Sequence, residues 1–414
     1  MMTQPVNSIK SGMFALLLLV GALCSLTVHA QTDELPLLGS LVAFTPAQQD
    51  RIIIHSLEDG TRRELNFGGL EHQLWDFSPD GCRILFTLAE TSHNPQMFSA
   101  NLDGSDVRQL VTYSEMPAGE WGIYEPDWSV ADENGDSRIA FTMIRNRPQS
   151  EDVLQEHHIG WIDGSDSATN SPQEPQFYSV TGREYSPTWS PDGAWLAYVS
   201  YDERVFGVDA QSTAVPTNEP PPGQAGQELP TVFEADLWIV SADGETKYRQ
   251  TTFETGNVRT PRWSPDGDLI GFIYSPSANN DTFWMIGSQQ GALPTQLSAM
   301  WNLTLDHTWL PDSSAMLASV RDFQGMSENR LWQIPLVGNA DTDATVYLAD
   351  NAFTHTDYPR FSADGRWLAF RSTYTLVVID TRTNTWTALD PDLPGNTPPV
   401  WSPATFTDER NCTG

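Results

Sequence analysis

The sequence predicts an all-β fold, a β-propeller of seven four-stranded blades, with six blades as the alternative. An aromatic-Ser-Pro-Asp-Gly pattern recurs, with some decay, seven times along the 414 residues. Each of the first six copies precedes a short apolar run rich in β-branched and aromatic residues, and no long segment has helical periodicity. Repeats of about 40–50 residues that carry several strands are typical of propeller blades.

The amino-terminal residues have the pattern of an export signal. Lys10 supplies a positive charge, Phe14 to Val20 an apolar segment, and Val28-His29-Ala30 a small-residue cleavage site. The apolar run is too short for a good membrane span. We therefore expect residues 1–30 to be a signal peptide, residues 31–37 a linker, and the mature protein to be periplasmic or secreted without insertion into a membrane.

The charge balance limits the classes of partner. The chain carries 22 Lys and Arg against 54 Asp and Glu, a formal net charge of -32. Such a field repels nucleic acid and anionic lipid surfaces, so we expect neither as a partner. The acidic surface indicates solubility, and the alternative is an acidic patch made for a basic partner.

The repeated pattern predicts a turn between two strands. Ser at its first position, Pro at the second and Gly at the fourth fit a type I turn whose glycine takes the left-handed conformation that closes a hairpin. The preceding aromatic residue, here called the anchor, is expected to pack between blades. The seven copies are Phe77-Ser78-Pro79-Asp80-Gly81, Trp128-Ser129, Trp189-Ser190-Pro191-Asp192-Gly193, Trp263-Ser264-Pro265-Asp266-Gly267, Trp309-Leu310-Pro311-Asp312, Phe361-Ser362-Ala363-Asp364-Gly365 and Trp401-Ser402-Pro403.

A second kind of turn predicts the hairpin from the third strand of a repeat to the fourth. It is an Asp-Gly pair between alternating apolar runs, at Asp103-Gly104, Asp163-Gly164 and Asp243-Gly244. Each repeat thus supplies four antiparallel strands, which is one blade.

The two ends of the chain complement each other. Three predicted strands, Leu41 to Thr45, Arg51 to Leu57 and Arg62 to Leu65, come before the first anchor, whereas Trp401-Ser402-Pro403 has no strands after it. We expect the C-terminal strand to join these three and to close the ring without a free sheet edge.

The predicted propeller spans residues 38–403, and residues 404–414 form a tail. Two cysteines lie outside the leader, Cys82 and Cys412. Cys82 directly follows the glycine of one repeat turn, and Cys412 follows the matching turn of the closing blade, which is expected to be its neighbour on the same face. We predict a disulfide between them that holds the tail on the ring, as an exported protein permits.

The repeats resemble the WD40-like propeller repeats of the TolB family, most clearly at Trp189 to Val199 and Trp263 to Tyr274. The resemblance covers nearly all of residues 38–403 and implies a stand-alone propeller without the additional N-terminal domain of TolB. On this basis we expect an exported, non-enzymatic module that binds a protein or another ligand.

Two groups of enzymes have similar repeats. Such propellers precede α/β-hydrolase peptidase domains, but the chain has no Gly-x-Ser-x-Gly segment. The seven-bladed oligogalacturonate lyases use histidines in the central pocket together with a divalent metal. This second resemblance implies the alternative function, a metal-dependent polysaccharide lyase or hydrolase.

The two faces of the predicted ring differ. On one, here called the short-turn face, only Pro-Asp-Gly and Asp-Gly turns join the strands. The opposite, long-loop face receives residues 145–156 and a Pro-rich insertion, residues 202–235. Long loops on a rigid ring present convergent polar groups. We therefore predict the site for a protein, small-molecule or carbohydrate ligand at the channel mouth on the long-loop face.

The segments that lead into the first strand of each repeat supply the candidate residues. Those for ligand binding are His72, Glu125, Arg183, Tyr185, Arg259, Asp306, His307, His355 and Tyr358. If a divalent metal binds, its candidate ligands are His72, His307 and His355, with Asp306 or Asp357 nearby. The alternative is that each histidine is an isolated polar loop residue. No catalytic residue and no cofactor are assigned from the sequence.

Overall fold

The fold is described from a computed structural model of the chain. It covers residues 37–68, 71–89, 94–117, 120–149, 152–178, 182–205, 231–253, 255–277, 280–298, 304–321, 329–348, 353, 355–373, 375–390, 397–403, 406 and 412.

Short β-strands make up almost all of the regular structure. In the first half of the chain the strands are Leu41–Phe44 (β1), Ile52–Ser56 (β2), Arg62–Leu65 (β3), Glu71–Phe77 (β4), Arg83–Ala89 (β5), Gln96–Asn101 (β6), Arg108–Gln109 (β7), Trp121–Trp128 (β8), Arg138–Gln149 (β9), Asp152–Asp163 (β10), Gln176–Phe177 (β11), Glu184–Trp189 (β12) and Trp195–Val205 (β13). In the second half they are Thr231–Ser241 (β14), Lys247–Arg249 (β15), Gly256–Trp263 (β16), Leu269–Ser277 (β17), Asn280–Gly287 (β18), Thr295–Gln296 (β19), Thr304–Trp309 (β20), Ala315–Arg321 (β21), Asn329–Pro335 (β22), Thr345–Val346 (β23), Thr356–Phe361 (β24), Trp367–Ser372 (β25), Thr375–Asp380 (β26), Thr385–Asp390 (β27) and Val400–Trp401 (β28).

Helical structure is minor in the described residues. It consists of a 3-10 turn at Ala168–Asn170 and one short α-helix, Ala340–Asp343 (α1). Neither segment has the length and apolar character that a membrane-crossing helix needs.

The strands form a closed β-propeller. Five separate four-stranded sheets have the orders β28-β1-β2-β3, β4-β5-β6-β7, β11-β10-β9-β8, β20-β21-β22-β23 and β24-β25-β26-β27. The innermost strands touch one another around the axis in the order β4, β8, β12, β16, β20, β24 and β28, and β28 touches β4 again. Apolar side chains fill the gaps between sheets, as where Leu41 and Ile54 of the first sheet share one cluster with Phe77 and Phe86 of the next.

The prediction of seven separate blades, or six, is corrected by the structure. Five blades are separate, and the strands of two repeats form one eight-stranded sheet, β12-β13-β14-β16-β17-β18-β19 with β15 beside β14. The two halves are joined by parallel pairing of Glu234 with Gly256 and of Ala235 with Asn257. The outer strand β15 is short and pairs only with residues 238–240 of β14, so the rest of the β14 edge is open to β16.

The chain ends meet as the sequence predicts. β28 pairs antiparallel with β1, with Trp401 opposite Val42 and Val400 opposite Ala43. Farther along, Phe406 is buried and its backbone exchanges two hydrogen bonds with Gly39, at 2.7 and 2.9 Å. A disulfide joins Cys82 to Cys412, whose Cα atoms lie 5.3 Å apart. The ring is thus closed by a β-ladder, and a covalent bond holds the tail beside it.

The repeat turns have the predicted chemistry. Ser264 Oγ donates to Asp266 Oδ1 at 2.5 Å and accepts from Leu269 N at 2.9 Å. Gly267 has a φ of +78°, the left-handed conformation that an L side chain rarely adopts. The same serine contacts recur in the turns at Ser78, Ser190 and Ser362.

The anchors pack between blades, as predicted. Trp189, Trp263 and Trp309 are buried, and each indole N–H donates to a backbone carbonyl of the preceding inner strand, at Asp127, Thr188 and Arg262. Trp401 closes the series with a 2.9 Å bond to the carbonyl of Arg360. These four bonds tie β12, β16, β20 and β28 each to the preceding inner strand.

Three predicted connections differ from the structure. Residues 145–156, expected to be a loop, are mostly an extended hairpin in which β9 and β10 pair up to Gln149 and Asp152. The predicted insertion, residues 202–235, contributes paired strand up to Val205 and again from Thr231, and residues 206–230 lie outside the described part. Asp163-Gly164 does not form a tight hairpin, because the 3-10 turn at Ala168–Asn170 follows it.

Candidate functional site

Five of the seven inner strands have a proline two residues before the anchor, a feature not used in the predictions above. It occurs at Pro126, Pro187, Pro261, Pro359 and Pro399. In β8, β12, β16 and β24 the residue before the proline has a φ between 48° and 54°, and the register with the next strand shifts there. Such β-bulges re-aim side chains. The residues concerned, Glu125, Ser186, Thr260 and Tyr358, all line a cavity on the ring axis.

This cavity, the central channel, has a volume of about 600 Å3. Its polar lining consists of Gln73, Asp76, Glu125, Asp127, Ser186, Thr188, Thr260, Arg262, Asp306, Tyr358, Arg360, Thr397 and Ser402. Ala363 and Pro403, which belong to repeat turns, also line it. The channel therefore extends to the short-turn face, whereas the sequence analysis placed the site at the opposite mouth.

Asp76 and Asp127 occupy the position before the anchor in two successive inner strands. Each carboxylate accepts a backbone N–H from the next anchor, Asp76 from Trp128 at 3.1 Å and Asp127 from Trp189 at 2.7 Å. Burial, and then the Asp127 carboxylate, raise the pKa of Asp76 to about 8, and burial raises the pKa of Asp127 to about 6. The pair therefore holds about one proton near neutral pH.

Glu125 adds a third carboxyl group on the same side of the channel. It accepts the backbone N–H of Ser186 at 2.8 Å and the hydroxyl of Thr142 at 3.3 Å. Burial raises its pKa although these hydrogen bonds oppose the shift. The glutamate thus links β8 to β12 at the bulge of both strands.

Positive charges lie on the other side of the ring. Asp306 bridges two guanidinium groups, those of Arg262 at 3.1 Å and Arg360 at 2.7 Å. Burial opposes ionisation of this carboxyl, but the two arginines lower its pKa to about 2. Burial lowers the pKa of Arg360 to about 10, so this arginine stays charged at neutral pH. The set of three groups carries one net positive charge.

Two hydroxyl groups of the lining lack partners. Thr260 Oγ1 and Thr397 Oγ1 are buried and make no hydrogen bond to any described residue. A buried polar atom without a partner is costly, and a ligand or ordered water commonly provides one. These hydroxyls are therefore available to a molecule in the channel.

The structure brings some of the predicted site residues together and not others. Glu125, Asp306 and Tyr358 line the central channel. His72, Arg183, Tyr185, Arg259, His307 and His355 are not among its lining residues. Four charged residues outside the predicted site set are in the lining, Asp76, Asp127, Arg262 and Arg360. The proline that directly precedes Asp127, Arg262 and Arg360 was a signal that could have identified these three, whereas Asp76 follows Trp75.

The predicted histidines are used in different ways. His72 is fully buried, where Nε2 accepts from Phe67 N at 2.9 Å and Nδ1 is 3.1 Å from the Gln49 carbonyl. His307 is also fully buried, and burial followed by Arg262 lowers its pKa to about 3. His355 is exposed. In His72, Nδ1–H therefore donates to the Gln49 carbonyl and the lone pair on Nε2 accepts from Phe67 N, which leaves no ring lone pair for a metal.

The other predicted residues serve contacts between strands. Tyr185 stacks on Tyr201 with ring centroids 4.9 Å apart and donates to the Val258 carbonyl at 3.2 Å. Arg259 is ion-paired with Asp281, and Arg183 bridges to His157 through its backbone. Among the described residues, no group of three His, Cys, Asp or Glu side chains is arranged to hold a metal ion.

Comparisons with known proteins agree on the fold. No protein-family model matches the chain. A search of curated proteins finds an uncharacterized peptidase, YuxL, of Bacillus subtilis, 26% identical over 193 residues, which are 47% of this chain and 22% of the relative. The chain thus spans about a fifth of that relative's length.

Solved structures with a similar fold include three of different function. A puromycin-hydrolyzing peptidase of Mycobacterium tuberculosis is 13% identical with a TM-score of 0.55, over 86% of this chain and 52% of that one. An oligogalacturonate lyase in complex with manganese is 14% identical with a TM-score of 0.50, over 84% and 93%. TolB of Acinetobacter baumannii is 12% identical with a TM-score of 0.45, over 88% and 67%. At these identities the similarity concerns the propeller fold alone.

Proposed function

We propose that this protein is an exported binding module that takes a protein segment or a small ligand into its central channel. The charge arrangement of the channel carries the proposal. Asp76, Glu125 and Asp127 stand on two neighbouring inner strands, and Arg262 and Arg360 stand on strands across the ring. Opposite charges in a partly desolvated cavity favour a ligand that carries both a positive and a negative group.

The size and rigidity of the channel support this proposal. A volume of about 600 Å3 lies within the usual range of ligand sites, about 300–1,000 Å3. The lining groups are held by inter-strand hydrogen bonds such as Asp127 to Trp189 and Glu125 to Ser186. A preformed site loses little conformational entropy when the ligand binds. The unpartnered hydroxyls of Thr260 and Thr397 add two groups that a ligand can satisfy.

We favour binding over metal-dependent polysaccharide cleavage because none of the three predicted histidines lines the central channel. His72 bonds the backbone through both ring nitrogens, and His307 is buried with a lowered pKa outside the channel lining. A lyase of the alternative type needs such side chains at its centre. Stoichiometric divalent metal in the purified protein would favour the lyase instead.

The proposal is tested by photo-crosslinking in the native cell envelope. A photoreactive phenylalanine replaces Trp75, which lines the channel, and in a second variant it replaces the exposed Trp386 of β27. Mass spectrometry identifies the adducts. We expect an adduct at position 75 that does not form at position 386.

A plugged channel provides the second arm of this test. Thr188→Trp places a bulky ring in the channel, and Thr383→Trp makes the same change at an exposed turn. We expect the first change to abolish the position 75 adduct and the second to preserve it. An adduct that survives the plug, or none at position 75, contradicts a channel ligand.

A further inference from the structure

A groove separates the two halves of the eight-stranded sheet on the short-turn face. Four turns surround it, those between β12 and β13, β14 and β15, β16 and β17, and β18 and β19, and its volume is about 640 Å3. The two halves pair at Ala235 and Asn257 near the opposite face. They therefore touch at one end and diverge at the other. We call this cavity the Trp195 groove.

Hydrogen bonds across the groove fix its walls. Tyr248 donates its hydroxyl proton to the Ser288 carbonyl at 2.9 Å. Gln250 Nε2 donates to the carbonyls of Gly287 at 2.6 Å and Gln289 at 2.9 Å. These bonds join β15 to the β18–β19 turn, so the groove exists before any ligand arrives.

Trp195 is an aromatic lining residue of the groove. It differs from Trp367, which occupies the same position in another repeat and has an arginine over its ring. The segments Asp192-Gly193-Ala194-Trp195 and Asp364-Gly365-Arg366-Trp367 occupy the same position of their repeats. The Arg366 guanidinium covers the Trp367 ring at 4.5 Å from its centroid. Ala194 occupies the repeat position that corresponds to Arg366. No Lys or Arg side chain of the described residues lies over the Trp195 ring.

The neighbouring groove lies between the β8–β11 sheet and strands β12–β15, and its tryptophan also differs from Trp195. Its volume is about 410 Å3, and its tryptophan, Trp161, is covered by Arg138 at 4.4 Å from the ring centroid. The other side of Trp161 stacks on Tyr178, with ring centroids 5.7 Å apart. In the Trp195 groove the edge contact of Tyr248, with ring centroids 6.2 Å apart, covers part of the tryptophan, and none of the described Lys or Arg side chains lies over its ring.

The polar lining of the Trp195 groove suits hydroxyl groups. Asp268, Gln289 and Gln290 are exposed in it, and together their side chains accept and donate hydrogen bonds. None of the described lining residues is Lys, Arg or His. With a chain charge of -32, an anionic ligand is disfavoured.

We propose that the Trp195 groove binds a neutral oligosaccharide, with a sugar ring against Trp195 and its hydroxyl groups on Asp268, Gln289 and Gln290. Amide and carboxylate groups meet the hydroxyls, and the indole and Tyr248 meet the apolar face of the ring. If the ligand were instead a single cationic side chain of a partner, most of the 640 Å3 of the groove would stay empty. This site is separate from the central channel, and its test does not depend on the channel ligand.

Calorimetry tests the proposal, with neutral cello-, malto-, xylo- and chito-oligosaccharides of two to six units as the probes. We expect at least one of them to bind the full-length protein with a Kd of about 1 mM or tighter. Ala194→Arg, which reproduces the cover seen on Trp367, should weaken that binding about tenfold or more. Gln290→Ala should also weaken it, and neither change removes a core side chain. Trp367→Ala is the matched control and should bind as the wild type does.

Three outcomes overturn the proposal. The first is that no oligosaccharide of the panel binds at about 10 mM. The second is that Ala194→Arg and Gln290→Ala bind as the wild type does. The third is that an arginine-rich peptide binds in the groove with a strong salt dependence, which identifies a cation site instead. Crosslinking at position 75 is unaffected by these variants if the channel is an independent site.

Discussion

Asp76 and Asp127 are half-buried carboxyl groups on the acidic side of the channel, and the charge of Arg262 lowers the pKa of Asp127 without offsetting the effect of burial. Arg262 and Arg360 are already bridged by Asp306, so the acidic side of the channel retains its protons instead. Because the ordinary pKa of Asp is 3.8 and that of Asp76 is raised to about 8, the folded protein binds a proton that the unfolded chain releases. This contribution to stability is complete below pH 4 and is lost as the pH rises towards 8.

Asp76→Asn should therefore reduce the fall in stability above pH 5. The amide has no proton to lose, and its oxygen still accepts one of the two backbone N–H groups that Asp76 binds. Between pH 5 and 8 we expect the free energy of unfolding to fall by about 2 kcal/mol less than in the wild type. Urea unfolding at four pH values measures it. Asp136→Asn, at an exposed turn, is the control. Parallel pH profiles for wild type and Asp76→Asn would contradict the shared proton.

At the scale of residues, the sequence located only part of the channel. Glu125, Asp306 and Tyr358 were predicted because they precede the anchors, and they line the channel. Asp127 and Arg262 were not among the predicted site residues, because the alternation of side chains along a strand does not by itself identify those that face the axis. A β-bulge in which the residue before the proline has a left-handed conformation changes that alternation. The pattern of hydrophobic residues in the sequence does not reveal such a bulge.

At the scale of elements, the repeat turn is the most regular structure in the molecule. Ser264 is fully buried, and its hydroxyl bonds both Asp266 and the backbone N–H that begins the next strand. Ser314 makes a comparable bond to Asp312, but it is exposed and lies after the turn whose first position is Leu310. The two serines thus differ in burial and in the strand contact.

We expect Ser264→Ala to lower the free energy of unfolding by about 1–3 kcal/mol, because it leaves the part-buried Leu269 N–H without its partner. Ser314→Ala should cost less than about 0.5 kcal/mol, since water replaces the lost bond. Thermal and urea unfolding of both variants measure the difference. Equal losses would mean that the turn hydroxyl contributes nothing beyond its bond to the aspartate.

Strands and turns could be predicted from the sequence where the residues that specify them lie close together in the chain. Anchors, turns and the strands after them follow from residue types within a few positions. The long pairing of β9 with β10 was missed because polar residues such as Arg145 and Gln155 carry no strand periodicity. The joining of β14 to β16 was missed because it depends on how much edge the short β15 leaves uncovered.

At the scale of the whole molecule, the closing ladder and the disulfide act on the same junction. The Cys82–Cys412 bond spans a sequence separation of 330 residues. In the chain-entropy description, a loop of that length restricts the unfolded state by about 5 kcal/mol, less any strain in the folded state.

The double change Cys82→Ser with Cys412→Ser should therefore lower the midpoint of thermal unfolding, with a loss of up to about 5 kcal/mol. A reducing agent should lower the midpoint of the wild type in the same way and leave the variant unchanged. Thiol titration of the unreduced, denatured wild type should find no free thiol in the mature chain. Two free thiols, or equal midpoints for wild type and variant, would contradict the predicted role.

The pairing of β1 with β28 also determines when the ring can close during synthesis. The hydrogen bond from Leu41 to Ser402 joins residues 361 positions apart, so the first strand to appear during synthesis receives its partner only after nearly the whole chain. Until then the β1 edge is an open template for other chains, and contacts of such long range form slowly. Closure of this ring is consequently a late step, and until then the open β1 edge can pair with other chains and cause aggregation.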